Sequence, residues 1–224
     1  MSLIQVRGVH YNYPGKKDAL DGVSLDVGEG EFVCVVGENG SGKSTLMKCI
    51  LDLQKPKKGE IMVSHRIGYL PQKTEIQSNF PASIEEVVLS GTIVNHIKSI
   101  WYTKRDRAMA NRVMKDLDLY EIRKKCFRDL SGGQQQRVLI ARAICATEKV
   151  IILDEPTNGL DPSISIQIYE MLKKLNEKRK LTVVMVSHDI SRAVQYCTRV
   201  IELKDGKVEF DGQVKDYRVG GAKK

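Results

Sequence analysis

An eight-residue loop constrains the fold of this 224-residue chain more than any other feature. Residues 37–44 read GENGSGKS; they follow the apolar run at 31–36 and precede apolar residues that recur at helical spacing from 46 to 51. A continuous apolar run that stops at a glycine is typical of a strand buried on both faces of a parallel sheet. The pattern therefore predicts a strand, a glycine-rich turn and a helix in direct succession.

The same loop matches the pattern of a phosphate-binding loop. Its glycines allow the backbone amides to point inward around a phosphate, at the positive end of the following helix. Lys43 would pair with the outer phosphates of a nucleotide, and Ser44 would hold Mg²⁺ through its hydroxyl. The predicted nucleotide-binding residues of this segment are Gly37, Glu38, Asn39, Gly40, Ser41, Gly42, Lys43, Ser44 and Thr45.

Two more buried strands are predicted at 150–153 and 182–186, each followed at once by polar residues. Between them, Asp161 and Pro162 suit a helix cap and a first-turn proline, and apolar residues recur at helical spacing from 164 to 175. Buried strands that alternate with helices indicate an α/β fold with a mainly parallel sheet.

Ligands of such sheets bind beyond the carboxyl ends of the strands, where Gly37, Asp154 and His188 all fall. Asp154 would support Mg²⁺, and Glu155 would polarise an attacking water. The alternative is an acidic pair that merely caps a strand end. The phosphate-binding loop favours the catalytic interpretation.

The stretch from about residue 73 to 130 has a different character. Residues 83–86 read SIEE, the pattern of a helix-capping box, and 103–117 read as an amphipathic helix, which together indicate an inserted helical lobe. Towards the end, 200–210 is predicted to form a hairpin that turns at Asp205 and Gly206.

Composition bounds the class of protein. The chain is 42% hydrophobic and 29% charged, as expected of a folded globular protein, and no apolar run is long enough to span a bilayer. The N-terminus lacks the features of a secretory signal, so the cytoplasm is the expected compartment. Five scattered cysteines predict neither disulfides nor a zinc site. A net charge of +8 is compatible with nucleic acid, an anionic membrane or simple solubility.

Residues 130–134 read LSGGQ, and here the chain resembles the nucleotide-binding subunits of ATP-binding cassette (ABC) transporters, whose signature this is. The resemblance implies a single domain over 1–224 with a P-loop NTPase fold, namely a mainly parallel sheet, an N-terminal antiparallel β subdomain and an inserted α-helical subdomain. The ATP-binding core with its β subdomain would comprise 1–72 and 134–220, and the helical subdomain 73–133.

The signature also has a physical interpretation, because Ser131 followed by Gln134 looks like a capping box at a helix start. Glycines beside a helix start form an anion site, yet one nucleotide has little need of two phosphate cradles. The family resemblance implies that ATP is held between the phosphate-binding loop of one copy and Ser131, Gly132, Gly133 and Gln134 of a second copy.

Four further roles are implied by the resemblance. Tyr13 would stack on adenine, Gln72 would sense Mg²⁺ and the attacking water, His188 would contact the terminal phosphate, and Asp161 would link the two sites of a dimer. Considered alone, Tyr13 would be a packing residue and Gln72 a surface residue. Residues 158–161 read NGLD rather than the commoner Ser-Ala-Leu-Asp.

The implied function is ATP hydrolysis that drives import through a separate integral membrane permease, served in turn by an extracytoplasmic substrate-binding protein. The subunit would lie on the cytoplasmic face of the membrane and act through its helical lobe. Residues 69–72, Phe80 with Pro81, and 86–91 resemble zinc and manganese importers, although iron-chelate importers use similar segments.

Two other functions remain open at this level. One is an ABC-type ATPase that acts on nucleic acid or ribosomes, which tends to carry a second cassette, heptad arms or zinc modules; the chain has none, so no nucleic-acid partner is expected. The other is a regulatory cassette that binds ATP without hydrolysing it, which the intact Glu155 and His188 disfavour.

Overall fold

The computed structural model describes residues 2–15, 18–72, 81–95, 101–147 and 149–218. It contains nine strands: β1 (Ser2–Asn12), β2 (Asp18–Gly28), β3 (Phe32–Val36), β4 (Lys58–Val63), β5 (Ile67–Leu70), β6 (Val150–Asp154), β7 (Thr182–Val186), β8 (Arg199–Lys204) and β9 (Lys207–Gln213). Six α-helices accompany them: α1 (Lys43–Ile50), α2 (Ile84–Ser90), α3 (Lys104–Asp116), α4 (Gly132–Cys145), α5 (Pro162–Arg179) and α6 (Ile190–Ala193).

The central sheet has six strands in the order β5-β6-β7-β3-β8-β9. All neighbours pair in parallel except β9, which is antiparallel to β8. Side chains of β3 alternate between two cores: Phe32 and Cys34 pack on one face of the sheet, Val33 and Val35 on the other. Burial of both faces explains why this strand is an uninterrupted apolar run.

A second sheet, in the order β2-β1-β4, is antiparallel. Helix α1 lies between the two sheets, because Leu46 and Met47 share a core with Ile4 of β1 and Ile152 of β6. The mainly parallel core and the N-terminal antiparallel sheet that the sequence predicts are both confirmed.

Helices α2, α3 and α4 pack on one another, and α4 also packs on β5. The predicted capping box at Ser83 is present, with its hydroxyl accepting from the Glu86 amide. The helix predicted over 103–117 is also present, and it begins with a second box, in which the Thr103 hydroxyl accepts from the Asp106 amide. Since α4 contacts both the helices and the sheet, it joins the two parts, and the division at 133/134 stays a prediction.

The predicted hairpin is formed by β8 and β9, with Asp205 and Gly206 at φ +48° and +77°. Such positive angles are what a two-residue hairpin turn requires. The residues 73–80 that begin the predicted helical insertion, including Phe80, lie outside the described part of the chain. In the described part, no helix is both long enough and apolar enough to cross a membrane.

Candidate active site

Four strands of the central sheet end at a common edge and deliver the predicted polar residues there. The phosphate-binding loop follows β3, Gln72 follows β5, Asp154 ends β6 and His188 follows β7. This edge borders a cleft of about 720 Å³. The residues that line it are Tyr13, Asp18, Ala19, Asn39, Gly40, Gly42, Lys43, Ser44, Thr45, Gln72, Glu155 and His188.

Two loop positions admit only glycine. Gly37 has φ +142°, and a Cβ there would lie 2.2 Å from the Leu203 carbonyl oxygen. Gly42 has φ +104°, and its Cβ would lie 2.4 Å from the Ala19 carbonyl oxygen. A positive φ and close contact with a backbone carbonyl oxygen together exclude a side chain at both positions. The glycines of the loop pattern are therefore sterically required here.

The ammonium of Lys43 is held inside the loop it follows. Its Nζ donates to the carbonyl oxygens of Gly37 at 2.9 Å and Glu38 at 2.8 Å, and the residue is only 6% exposed. Burial lowers the pKa of Lys43, while the nearby Glu155 and Asp154 carboxylates act in the opposite direction. The ammonium group of Lys43 therefore lies against the backbone of the phosphate-binding loop.

Asp154 is a buried carboxylate with unused bonding capacity. It is 5% exposed, and its Oδ1 is buried without a hydrogen-bond partner in the described part of the chain. Burial, and then the charge of Glu155, raises the pKa of Asp154, while a hydrogen bond from Ser44 opposes this shift. An orphaned carboxylate oxygen beside a hydroxyl suits a divalent cation that prefers oxygen ligands, such as Mg²⁺.

Glu155 adopts an uncommon left-handed conformation with φ +53°. Its amide donates to the Val186 carbonyl at the end of β7, which fixes the turn. Its Oε2 accepts from Gln72 Nε2 at 2.9 Å and lies 2.6 Å from His188 Nε2 in an ion-pair contact. Three residues that the sequence assigned separately thus form one contacting polar group.

Tyr13 lies at the same cleft. Its hydroxyl is 3.3 Å from Thr45 Oγ1 and 3.3 Å from Gln54 Oε1, and its ring meets Tyr11 edge-on at 5.1 Å. The hydrogen bond with Thr45 is the main cause that lowers the pKa of Tyr13. The ring is therefore anchored next to the helix that begins at Lys43.

The signature residues are not among those that line the cleft. Ser131 and Gly132 are exposed, and the predicted capping box is present, with the Ser131 hydroxyl accepting from the Gln134 amide. Gly133 is buried, and its Cβ would lie 2.6 Å from Ile164 Cγ2. One copy of the chain thus presents the signature helix start separately from its own phosphate-binding loop.

Asp161 requires a correction. It precedes α5 and Pro162 is in the first turn, as predicted, but the Asp161 side chain makes no capping hydrogen bond. Its backbone carbonyl instead accepts from the amide and the hydroxyl of Ser165. The exposed carboxylate of Asp161 is not used by its own helix.

Sequence reasoning missed several residues of this region. Asn158 donates to Glu155 Oε2, Gln54 contacts Tyr13, and Asp18 and Ala19 line the cleft. The only sequence signal among these was Asn158, at the position where 158–161 departs from the commoner form. The others depend on contacts between distant segments.

Known proteins resemble this chain along most of its length. The family model for ABC transporters matches residues 20–158. The zinc uptake system ATP-binding protein ZurA of Listeria monocytogenes is 34% identical, over 96% of this chain and 88% of that protein. The phosphonates import ATP-binding protein PhnC of Shouchella clausii is 35% identical, over 96% of this chain and 87% of that protein. Among solved structures, the ATP-binding cassette MJ0796, in a dimeric post-hydrolysis state bound to ADP and Pi, has a TM-score of 0.77 and 33% identity, over 96% of this chain and 100% of that one.

Proposed function

Because this chain belongs to the ABC transporter family, we propose that it binds and hydrolyses ATP at the described cleft and thereby energises import through a separate membrane permease. The observation that carries this proposal is the convergence of Lys43, Asp154 and the group formed by Glu155, Gln72 and His188 at one edge of the sheet. Relatives named for uptake and import favour transport over an ATPase that acts on nucleic acid.

Each residue has a distinct task in hydrolysis. Backbone amides of the loop and the Lys43 ammonium neutralise the phosphates, which is where charge develops during phosphoryl transfer. Glu155 accepts a hydrogen bond from the attacking water and orients it. His188, which already lies against Glu155, contacts the terminal phosphate. Tyr13 supports the adenine ring.

Asp154 and Ser44 would hold Mg²⁺, with Gln72 near it. The fit rests on the unpartnered Oδ1 of Asp154 and on the Ser44 hydroxyl beside the same carboxylate. Bound Mg²⁺ would neutralise phosphate charge.

The complete site requires two copies. Ser131 and Gly132 are exposed and lie away from the cleft of their own chain, and the similar cassette MJ0796 forms a dimer in its solved structure. In the pair, the signature helix of one copy closes on the nucleotide held by the other. The free carboxylate of Asp161 then links the two sites.

Mixing two defective variants tests this arrangement. Lys43→Ala damages the loop and Ser131→Glu places a negative charge where the signature meets phosphate, so each homodimer should be nearly inactive. A mixed dimer unites the intact loop of one chain with the intact signature of the other, and hydrolysis should return. If mixing restores no activity while both variants fold and dimerise, the proposal of a shared site fails.

The permease partner would be contacted through the helical lobe, with an extracytoplasmic substrate-binding protein beyond it and this subunit on the cytoplasmic face. In that lobe the large apolar side chains of Ile93 and Trp101 are 53% and 78% exposed. Single exposed apolar residues are common on protein surfaces, whereas contiguous apolar patches mark contact sites. We propose that Ile93 and Trp101 contribute to such a contact surface on the lobe expected to transmit motion.

The transported substrate is proposed to be a divalent metal such as zinc or manganese. Several relatives are named for zinc or metal transport, although the phosphonate relative is equally similar. No cluster of metal-binding side chains occurs among the described residues. We propose that the partner proteins, which would line the transport path, recognise the cargo.

Growth of a strain that lacks this chain tests the substrate class. Deletion should impair growth in chelated medium, with recovery on added zinc or manganese, and should leave growth on a phosphonate as the phosphorus source intact. The opposite growth pattern would indicate that the transported substrate is a phosphonate and not a metal. The Glu155→Gln variant, reintroduced, should fail to complement in either case.

A further inference from the structure

A single oxygen of Glu155 receives two hydrogen bonds and one short ion-pair contact. Gln72 Nε2 donates to Oε2 at 2.9 Å and Asn158 Nδ2 donates to it at 3.0 Å, while His188 Nε2 lies 2.6 Å from the same oxygen. Among the described residues no hydrogen bond falls on the other carboxylate oxygen, Oε1. Two donors fill the two lone-pair sites of Oε2 and leave the second oxygen for another partner.

Asn158 differs from Gln72 and His188 in how it reaches Glu155. Gln72 and His188 follow different strands, and both are exposed at the cleft. Asn158 lies three residues after Glu155 in the same turn, where its backbone amide also donates to the Glu155 carbonyl oxygen at 3.1 Å. Its distance to the carboxylate is therefore set by local geometry and does not require the remote segments to stay in place.

We propose that Asn158 is a positioning residue for hydrolysis: its side-chain amide holds Oε2 of Glu155, so that Oε1 is the oxygen that accepts the hydrogen bond from the attacking water. This inference rests on the proposed role of Glu155 and adds to it. A carboxylate fixed through one oxygen presents the other at a defined place, and correct placement is a large part of what a general base contributes.

The residue type matters because the donor must reach across the turn. A serine, the commoner residue at this position, has a shorter side chain and cannot place a donor where Nδ2 lies. An aspartate has the shape of asparagine but offers only acceptors at neutral pH, and its charge would repel Glu155.

The experiment compares Asn158→Ala and Asn158→Asp in the dimeric ATPase under steady-state conditions. Both variants should lower kcat, by about 10-fold for alanine and more for aspartate, with KM for ATP changed less than about two-fold. Gln167→Ala, which removes an exposed amide on α5 bonded to Arg137, serves as the control and should keep the original kcat.

A double-mutant cycle with Glu155→Gln, measured by single-turnover release of labelled phosphate, separates the possible roles. If Asn158 acts through Glu155, adding Asn158→Ala to Glu155→Gln should cause no further loss. Additive losses, or unchanged kcat in both single variants, would overturn the proposal. Normal hydrolysis by Glu155→Gln alone would instead refute the role proposed for Glu155 itself.

Discussion

The charge of Asp154 is disfavoured by its own surroundings. Burial and the adjacent Glu155 raise the pKa of Asp154, and one oxygen has no partner. Before a cation binds, the ionised carboxylate therefore costs stability, as is common where a site is arranged for a ligand. The hydrogen bond from Ser44, and then the charges of Lys48 and Lys43, offset this cost only in part.

Asp154→Asn should make the free protein more stable while abolishing hydrolysis. An acid whose pKa is raised on folding above its ordinary value of 3.8 stabilises the fold only when protonated, and this contribution is lost as pH rises through the folded pKa. At neutral pH the neutral amide avoids the cost, and Tm should rise by about 2–4 °C, equivalent to roughly 1 kcal/mol.

Thermal unfolding without nucleotide, repeated at decreasing pH, checks this expectation. The advantage of Asp154→Asn should shrink as the wild-type carboxyl becomes protonated. Adding Mg²⁺ with ATP should stabilise the wild type more than the variant. A variant that is less stable at neutral pH would contradict the account of Asp154.

Glu155→Gln should separate binding from hydrolysis. The amide is similar in size but cannot act as a base, so turnover should fall by about 100-fold or more. ATP affinity should stay near the original value, since Lys43 and the loop remain. Parallel measurements of nucleotide binding and phosphate release test both halves.

Lys43→Ala should have the opposite effect and weaken ATP binding itself. Loss of a charge-assisted contact to phosphate should weaken ATP binding by about 10- to 100-fold, since such hydrogen bonds contribute about 1.5–3 kcal/mol. Equilibrium titration with a fluorescent ATP analogue measures the change. Wild-type affinity in a folded variant would exclude the assigned role of Lys43.

Two glycines set how closely β5 and the end of α2 approach α4. A Cβ on Gly68 of β5 would lie 2.1 Å from the Ala143 carbonyl oxygen, and one on Gly91, just after α2, would lie 2.1 Å from that of Arg142. Both carbonyl oxygens belong to the backbone of α4, so they cannot rotate away as a side chain could. Close backbone contact at these two glycines fixes the position of α4, the helix that begins at the signature.

Gly68→Ala and Gly91→Ala should each reduce the free energy of unfolding by about 2–3 kcal/mol through overpacking. Gly132→Ala is the matched control, because its Cβ would meet only Leu160 Cδ2 at 3.4 Å. Chemical denaturation of the three variants compares them. Equal stability of all three would show that the packing relaxes without cost.

The sequence pattern predicted helix starts, strands and turns well where the contacts that determine them lie within a few residues of one another. The boxes at Ser83 and Ser131, the strand before Gly37 and the turn at Asp205 are of this kind. These local rules failed for the side chain of Asp161, which makes no capping hydrogen bond although Asp161 stands at the N-cap position of α5. They also could not find Gln54, whose contact with Tyr13 joins segments on either side of α1.

At the scale of the whole molecule, the exposed apolar residues of the helical lobe should determine coupling to the permease. Ile93→Glu should reduce co-elution with the permease and permease-dependent hydrolysis several-fold, while ATP binding by the isolated subunit stays unchanged. Ile166→Glu is the control, since Ile166 is also exposed but lies on α5. Equal effects of both substitutions would argue against a specific contact at Ile93.

The backbone contact between Gly68 and α4 has a mechanical consequence. The helix extends about 18 Å from the level of Ala143 to Ser131 at 1.5 Å per residue. A tilt of about 5° at the sheet would then shift its exposed tip by about 1.6 Å, roughly half the length of a hydrogen bond. With no side chain on Gly68 to separate β5 from α4 at this point, α4 is built as a lever whose far end lies where the second copy is proposed to bind.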